Sequence, residues 1–241
     1  MIAALRSLRS TGARSLPARY AEPWLDAFYE RIRPSLHPGV TILDVGSGRR
    51  PSIPTAKRPA GCRYVGLDLF LSELEKAPAG SYDEMYVADV AQRLAELEGR
   101  FDLVVSWQVL EHVKPLDVAI DNLRAYLRPG GRLVAQMSGA YSLFGIVNRL
   151  VPQRLGVWAM QRLLGRNPET VFPAYYDRCT YTGLMYALRH WRQFDILPRY
   201  NAGYYLRFWG PVYSTYLRYE NWTYDRKHWN LATHYLVTAA K

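Results

Sequence analysis

The apolar positions of the chain follow two rhythms. Trp24, Leu25, Phe28 and Ile32 recur every three or four residues, which predicts a helix to about Ser35, ended before His37-Pro38-Gly39. From Thr41 onward the apolar residues gather instead into short runs bounded by turn residues. These predict strands over Thr41–Val45, Arg63–Leu67, Glu84–Ala88, Phe101–Ser106 and Gly131–Met137. Between them, Val90–Leu97 and Leu116–Leu127 read as helices, the second closed by Arg128-Pro129-Gly130-Gly131. Thr180 is placed to cap a helix over Tyr181–Trp191, and Gln193–Arg199, Tyr204–Phe208 and Ala232–Ala240 have strand character.

Five β-rich runs alternating with helical ones predict an α/β fold with a parallel, doubly wound sheet, whose ligands lie beyond the carboxyl ends of the strands. Asp44, Asp68, Asp89 and Ser106 all fall at that edge. Directly after the first strand stands Gly46-Ser47-Gly48, where glycines let the backbone turn sharply and approach a ligand closely. Asp68 ends the strand beside the first, in the position from which a carboxylate accepts both ribose hydroxyls of a nucleoside. Two charge-assisted bonds of that kind contribute roughly 1.5–3 kcal/mol each. Arg49-Arg50-Pro51-Ser52-Ile53-Pro54 and then Pro59 oppose a regular helix after the glycine loop. They also oppose a dinucleotide site, which needs a third glycine where Pro51 stands and a helix N-terminus for its phosphates.

Composition narrows the class without fixing the chemistry. The 241 residues are 49% hydrophobic and 22% charged, enough for one domain with a full core. Two cysteines, Cys62 and Cys179, are too few for a disulfide framework or a cysteine metal site, so no metal is expected and a reducing, cytoplasmic setting is the default. No apolar window approaches the roughly 20 residues of a membrane span. The net charge of +10 calls for an anionic neighbour, and its distribution is uneven. Arg6, Arg9, Arg14 and Arg19 make residues 1–20 a basic leading segment, read either as a transit peptide or as the tail of a domain spanning 21–241. Between Asn122 and Pro168 seven arginines occur and no acid. Within this span the apolar and cationic stretch Ala140–Arg166 suits an anionic membrane surface, closing over an amphiphile, or an insertion that packs its apolar face on the sheet with its arginines toward water.

The ordered motifs resemble class I S-adenosylmethionine-dependent methyltransferases of the type 11 methyltransferase group. Leu43-Asp44-Val45-Gly46-Ser47-Gly48 matches the cofactor loop, Val65-Gly66-Leu67-Asp68-Leu69 the ribose acid and Val87-Ala88-Asp89-Val90 the adenine-side acid. The run from Phe101 through Ser106, Trp107 and Gln108 to Glu111-His112-Val113 matches the fourth strand and its turn, and Leu127–Leu133 the approach to the fifth. The resemblance covers about residues 35–140. It implies a Rossmann-like sheet of seven mostly parallel strands, closed by an antiparallel hairpin that places the last strand beside the fifth. It implies S-adenosylmethionine held by Asp44, Gly46, Ser47, Gly48, Asp68, Leu69, Asp89, Val90, Ser106 and Trp107. Arg50 departs from the pattern, standing where the family usually carries a third glycine.

Transfer of an activated methyl group requires a nucleophile held in line and a base only if it arrives protonated. His112, Tyr175, Tyr176 and Asp177 are the candidate bases. Residues 138–190 form the expected substrate-side insertion, helical and aromatic, ahead of the final hairpin. Twelve of the nineteen tyrosines follow Ala174, enough to stack on a sugar or to fill an aromatic core. The leading acceptor is a hydroxyl of a small molecule, glycan or lipid-linked saccharide. Nucleic acid ranks behind it, because Ser106-Trp107-Gln108-Val109 replaces the Asn/Asp-Pro-Pro-aromatic turn of amino-methylating DNA enzymes. RNA or protein substrates, and a SAM-binding interaction module without transferase activity, stay open.

Overall fold

The computed structural model describes residues 16–142, 145–146, 174–206 and 210–241. These build one seven-stranded sheet in the order β3-β2-β1-β4-β5-β7-β6. The strands are β1 (Thr41–Val45), β2 (Arg63–Asp68), β3 (Glu84–Val87), β4 (Phe101–Trp107), β5 (Leu127–Ser138), β6 (Gln193–Arg199) and β7 (His234–Ala240). β1 pairs in parallel with both β2 and β4, so the chain reverses its winding direction beside β1, where sheets of this kind bind ligands. β7 runs antiparallel between β5 and β6, with Ser138 opposite His234, as the resemblance implied.

Every residue of β1 is buried, because helices cover both faces of the sheet. On one face Leu43, Val45, Val65 and Val104 pack with Leu116, Ala119, Ile120 and Leu123 of α3 (Leu116–Tyr126). On the other, Ile42, Tyr64, Leu103, Val105 and Leu236 pack with Ala27, Phe28 and Ile32 of α1 (Trp24–Ile32). Pro23 and Pro34 bracket the latter helix, the second within a 3-10 turn over Arg33–Ser35. Among the described residues the further helices are the single turn α2 (Leu71–Leu74), α4 (Tyr181–Ala187) and α5 (Gly210–Asp225). Thr180 caps α4 as expected, its Oγ1 accepting from the Gly183 N–H at 3.1 Å, but the helix ends at Ala187, short of Trp191.

Three expectations are corrected. Val90–Leu97 is not a helix and holds only a 3-10 turn over Ala95–Leu97. The bond a helix would make from the Leu94 N–H to the Val90 carbonyl is replaced at both ends. Asn122 Nδ2 donates to that carbonyl at 2.9 Å, and the Leu94 N–H turns to Tyr126 Oη at 2.9 Å. Tyr204–Phe208 is not a strand: Gly203–Leu206 forms a 3-10 turn, and 207–209 lie outside the described residues. The Ala202 and Gly203 amides are drawn to Glu220 Oε1 at 2.8 Å and Tyr20 Oη at 3.0 Å, away from any strand partner. Third, the aromatic C-terminal third contains α5, a sixteen-residue helix absent from the sequence reading.

Tyr20 also donates to Glu220, and Arg19 donates to the Glu220 carboxylate at 3.2 Å, to Asn221 at 2.7 Å and to the Tyr200 carbonyl at 2.7 Å. Two residues assigned to the leading basic segment therefore clasp α5. Arg6, Arg9 and Arg14, and the stretch 147–173 of the expected insertion, lie outside the described residues.

Candidate functional site

The loop after β1 is shaped by two glycines and tied by a buried acid. Gly46 has φ +70° and donates its N–H to the Leu67 carbonyl at 2.7 Å, which draws the loop against β2. A Cβ built on Gly46 would stand 2.4 Å from both Val109 γ-methyls, so this position requires glycine for space as well as for φ. Tyr82 Oη donates to the Gly48 carbonyl at 2.7 Å. The prolines prevent a helix here, and the Arg50 N–H closes a turn to Ser47 O at 3.0 Å.

Asp44, expected among the cofactor contacts, holds this loop from beneath. It is fully buried and accepts from the Ser52 N–H and Ser52 Oγ, each at 2.7 Å, and from Tyr64 Oη at 2.6 Å. Burial pushes its carboxyl up to about 6 against those three bonds. Ser52 and Tyr64 carried no motif signal in the sequence.

Beyond the carboxyl ends of β1, β2 and β4 opens a cavity of about 530 Å³. Gly46, Asp68, Leu69, Asp89, Val90 and Trp107 line it from the expected cofactor set, and His112 and Tyr175 from the expected catalytic set. Phe70, Gln108, Val109 and Lys114 also line it. Asp68 accepts from the Phe70 N–H at 3.2 Å, and burial raises its carboxyl above the ordinary range while bonds from the backbone of Gly48 and Leu69 oppose that rise.

Six candidates do not line the cavity: Asp44 and Gly48, which shape the loop described above, and four others. Ser47 is buried in the loop, and Ser106 is fully buried with Oγ donating to Val45 O at 3.2 Å. Tyr176 is buried, and its N–H donates to the Glu111 carbonyl at 2.9 Å. Asp177 accepts from the Leu116 N–H at 2.8 Å, which satisfies a donor at the start of α3. One neighbour entered the sequence reading only as part of the fourth-strand motif, with no role of its own. Glu111 is buried behind His112, accepts from the Ser138 N–H at 3.3 Å, and has its carboxyl raised by burial.

The residues present fit a nucleoside-bearing sulfonium cofactor. The glycine cradle leaves no Cβ between the β1 loop and Val109, and Gly48 is close enough that its Cβ would lie 3.4 Å from Asp68 Oδ2. Asp68 and Asp89 place two carboxylates along one cavity. Arg50 is exposed and does not line the cavity, and Arg49 is turned to Glu73 in a pair at 2.7 Å.

Fold and cavity together define a class I, Rossmann-like methyltransferase with S-adenosylmethionine as its cofactor. Residues 17–187 match the model of the methyltransferase domain, and the chain belongs to that family. A ubiquinone biosynthesis O-methyltransferase from Chelativorans sp. (strain BNC1) is 29% identical over 113 residues, covering 45% of this chain and 44% of that protein. The protein of the same name from Brucella ovis is 29% identical over 113 residues, 45% of each. The matched stretch thus spans less than half the length of these relatives.

Among solved structures, Haemonchus contortus phosphoethanolamine N-methyltransferase 2 in complex with S-adenosyl-L-methionine superposes with a TM-score of 0.55 at 15% identity, over 90% of this chain and 52% of that one. A S-adenosylmethionine-dependent methyltransferase from Mesorhizobium loti gives 0.54 at 18%, over 90% of this chain and all of the other. The [4+2]-cyclase SpnF gives 0.56 at 18%, over 96% and 84%. Identities this low speak for the fold alone.

Proposed function

We propose that the protein is an O-methyltransferase acting on a hydroxyl group of a small molecule. The observation that carries this reading is one cavity that joins Gly46, Asp68 and Asp89 to His112, Gln108, Lys114 and Tyr175. When bound, the cofactor supplies a methyl group already activated by sulfonium charge. Asp68 accepts the ribose hydroxyls, and Asp89 faces the adenine end. The Gly46 turn lets the backbone approach the methionine portion without a side chain between.

His112 takes the acceptor's hydroxyl proton, and Phe70 and Tyr175, each about half exposed, flank an acceptor entering from solvent. Among the described residues, the non-cofactor lining offers donors and a cation in Gln108, His112 and Lys114 and no carboxylate. Such a set favours a developing oxyanion over a cationic amine. The name shared by the curated relatives, an O-methyltransferase, supports the same choice of atom. Glycan and lipid-linked hydroxyls fall within the proposed class.

Calorimetric titration with S-adenosylhomocysteine, with NAD as control, tests the cofactor assignment; micromolar binding of the first and none of the second is the expected result. Radiolabelled methyl transfer to a panel of phenols, sugars and amines then tests the acceptor. Transfer to amines with none to hydroxyls overturns the oxygen assignment, and absence of transfer to every acceptor despite tight cofactor binding favours the non-catalytic SAM-binding alternative.

A further inference from the structure

The outer side of α5 carries the exposed rings of Tyr219 and Trp222, in an aromatic row whose inner end, Tyr216, turns into the fold toward Thr233. Residues 215, 218, 219, 222 and 226 recur at helical spacing and share one face, turned away from the buried Glu220. Tyr219 is 40% exposed and Trp222 48%. Their rings continue a line from Tyr216 to His228, with centroids 6.0, 6.3 and 4.5 Å apart in succession. Arg218, Arg226 and Lys227 are exposed along this row and Asp225 is the single exposed acid, so the face is cationic on a chain of net charge +10. Beside the row runs a groove of about 410 Å³ lined by Leu206, Pro211, Val212, Thr215, Tyr216 and Tyr219, without a charged group.

We propose that this face of α5 docks on an anionic phospholipid membrane. Tyr and Trp rings with an apolar body and a polar edge settle at the boundary between headgroups and acyl chains, and flanking Arg and Lys gain from anionic headgroups. The uncharged groove decides between a lipid surface and nucleic acid. Its described lining residues offer apolar walls to acyl and glycerol carbons, which a lipid uses and a phosphate backbone does not. Among the described residues no helix is long and apolar enough to cross a membrane, so the contact is a surface one. The clasp of Arg19 and Tyr20 on Glu220 fixes the helix from behind, so the aromatic row meets the lipid on a rigid support.

Flotation of the whole protein with vesicles tests the proposal. Vesicles of phosphatidylcholine mixed equally with phosphatidylglycerol should carry the protein, phosphatidylcholine alone should not, and added salt should release it. The double variants Y219S/W222S and R218E/R226E should each partition about tenfold or more weakly into the mixed vesicles. Both should still bind S-adenosylhomocysteine as the unmodified protein does, which shows that they fold and keeps this test separate from the methyltransferase assignment. Failure to float with the mixed vesicles overturns the proposal, as does undiminished flotation of both variants. Two further results also overturn it: a dimer in solution that Y219S/W222S dissociates, or single-stranded RNA bound in preference to the mixed vesicles.

Discussion

Tyr64 donates its hydroxyl to Asp44 at 2.6 Å across two neighbouring buried strands, and the same carboxylate oxygen holds the Ser52 amide at 2.7 Å. The cofactor loop is thus suspended from the core by one acid, in place of the helix N-terminus that commonly follows a glycine turn. Removing that acid leaves the Tyr64 hydroxyl and the Ser52 amide buried without an acceptor. D44A should lose about 2–4 kcal/mol of stability and bind S-adenosylhomocysteine more weakly. Urea unfolding and calorimetry check both effects.

The same carboxyl makes stability depend on pH. Its folded value is about 6, whereas an unfolded aspartate titrates near pH 3.9. Between those values the folded chain keeps a proton that the unfolded chain has released. The contribution is full below about pH 4 and disappears as pH rises through about 6, a change of about 3 kcal/mol. The stability of the unmodified protein, measured against the non-titrating D44N across this window, should fall by that order. A constant difference would contradict the assignment.

At Gly46 the steric and backbone demands are separable. G46A should reduce S-adenosylhomocysteine affinity at least tenfold, because the new methyl meets Val109 at 2.4 Å and the residue keeps φ +70°. Adding V109A removes the collision but not the backbone cost, so the double variant should recover only part of the affinity. Complete recovery would mean that crowding alone dictates glycine here.

Asp68 lines the cavity, and the protein bonds it accepts come from backbone amides of the loops around it, at the rim of the fold and not in its core. D68A should weaken S-adenosylhomocysteine binding by more than tenfold while the unfolding midpoint stays within the range of an ordinary surface change. Unaltered affinity would remove the ribose role from this residue.

Glu220 is a buried carboxylate whose partners are Arg19, Tyr20 and the Ala202 amide. E220A removes the carboxylate from Arg19, which keeps its bonds to Asn221 and the Tyr200 carbonyl, and leaves Tyr20 and the Ala202 amide without their acceptor. It should cost about 3 kcal/mol, and E220Q, which keeps an acceptor, should cost less. Thermal unfolding separates the two.

The sheet was legible because parallel strands buried on both faces print continuous apolar runs. All five parallel strands stand within a residue or two of their expected bounds, except that β5 begins at Leu127 and carries the glycine turn within it. The cofactor end of the cavity was legible too, since glycines and strand-end acids announce themselves locally. What escaped was set by distant partners. Residues 90–97 have helical periodicity, yet Asn122 and Tyr126 take the hydrogen bonds that a helix would use. α5 escaped because its buried side carries Glu220 and Thr223 where a helical apolar stripe would reveal it. Asp44 shows the reverse case, a motif acid whose visible neighbours suggested a ligand contact and whose hydrogen bonds turn inward.

The placement of β7 between β5 and β6 has a bearing on how the molecule is assembled. During synthesis β6 leaves the ribosome well before His234–Ala240, yet it reaches the sheet only through β7. Until β7 arrives β5 lacks this partner, and every strand of the half that carries the cofactor loop has already been synthesised. The cavity's nucleoside end belongs to the part of the chain synthesised first, while the edge strand waits on the most sequence-distant pairing in the sheet. A protein held at that stage has its cofactor cradle built and a strand edge open to other chains, which makes the interval before β7 docks the period of greatest exposure to aggregation.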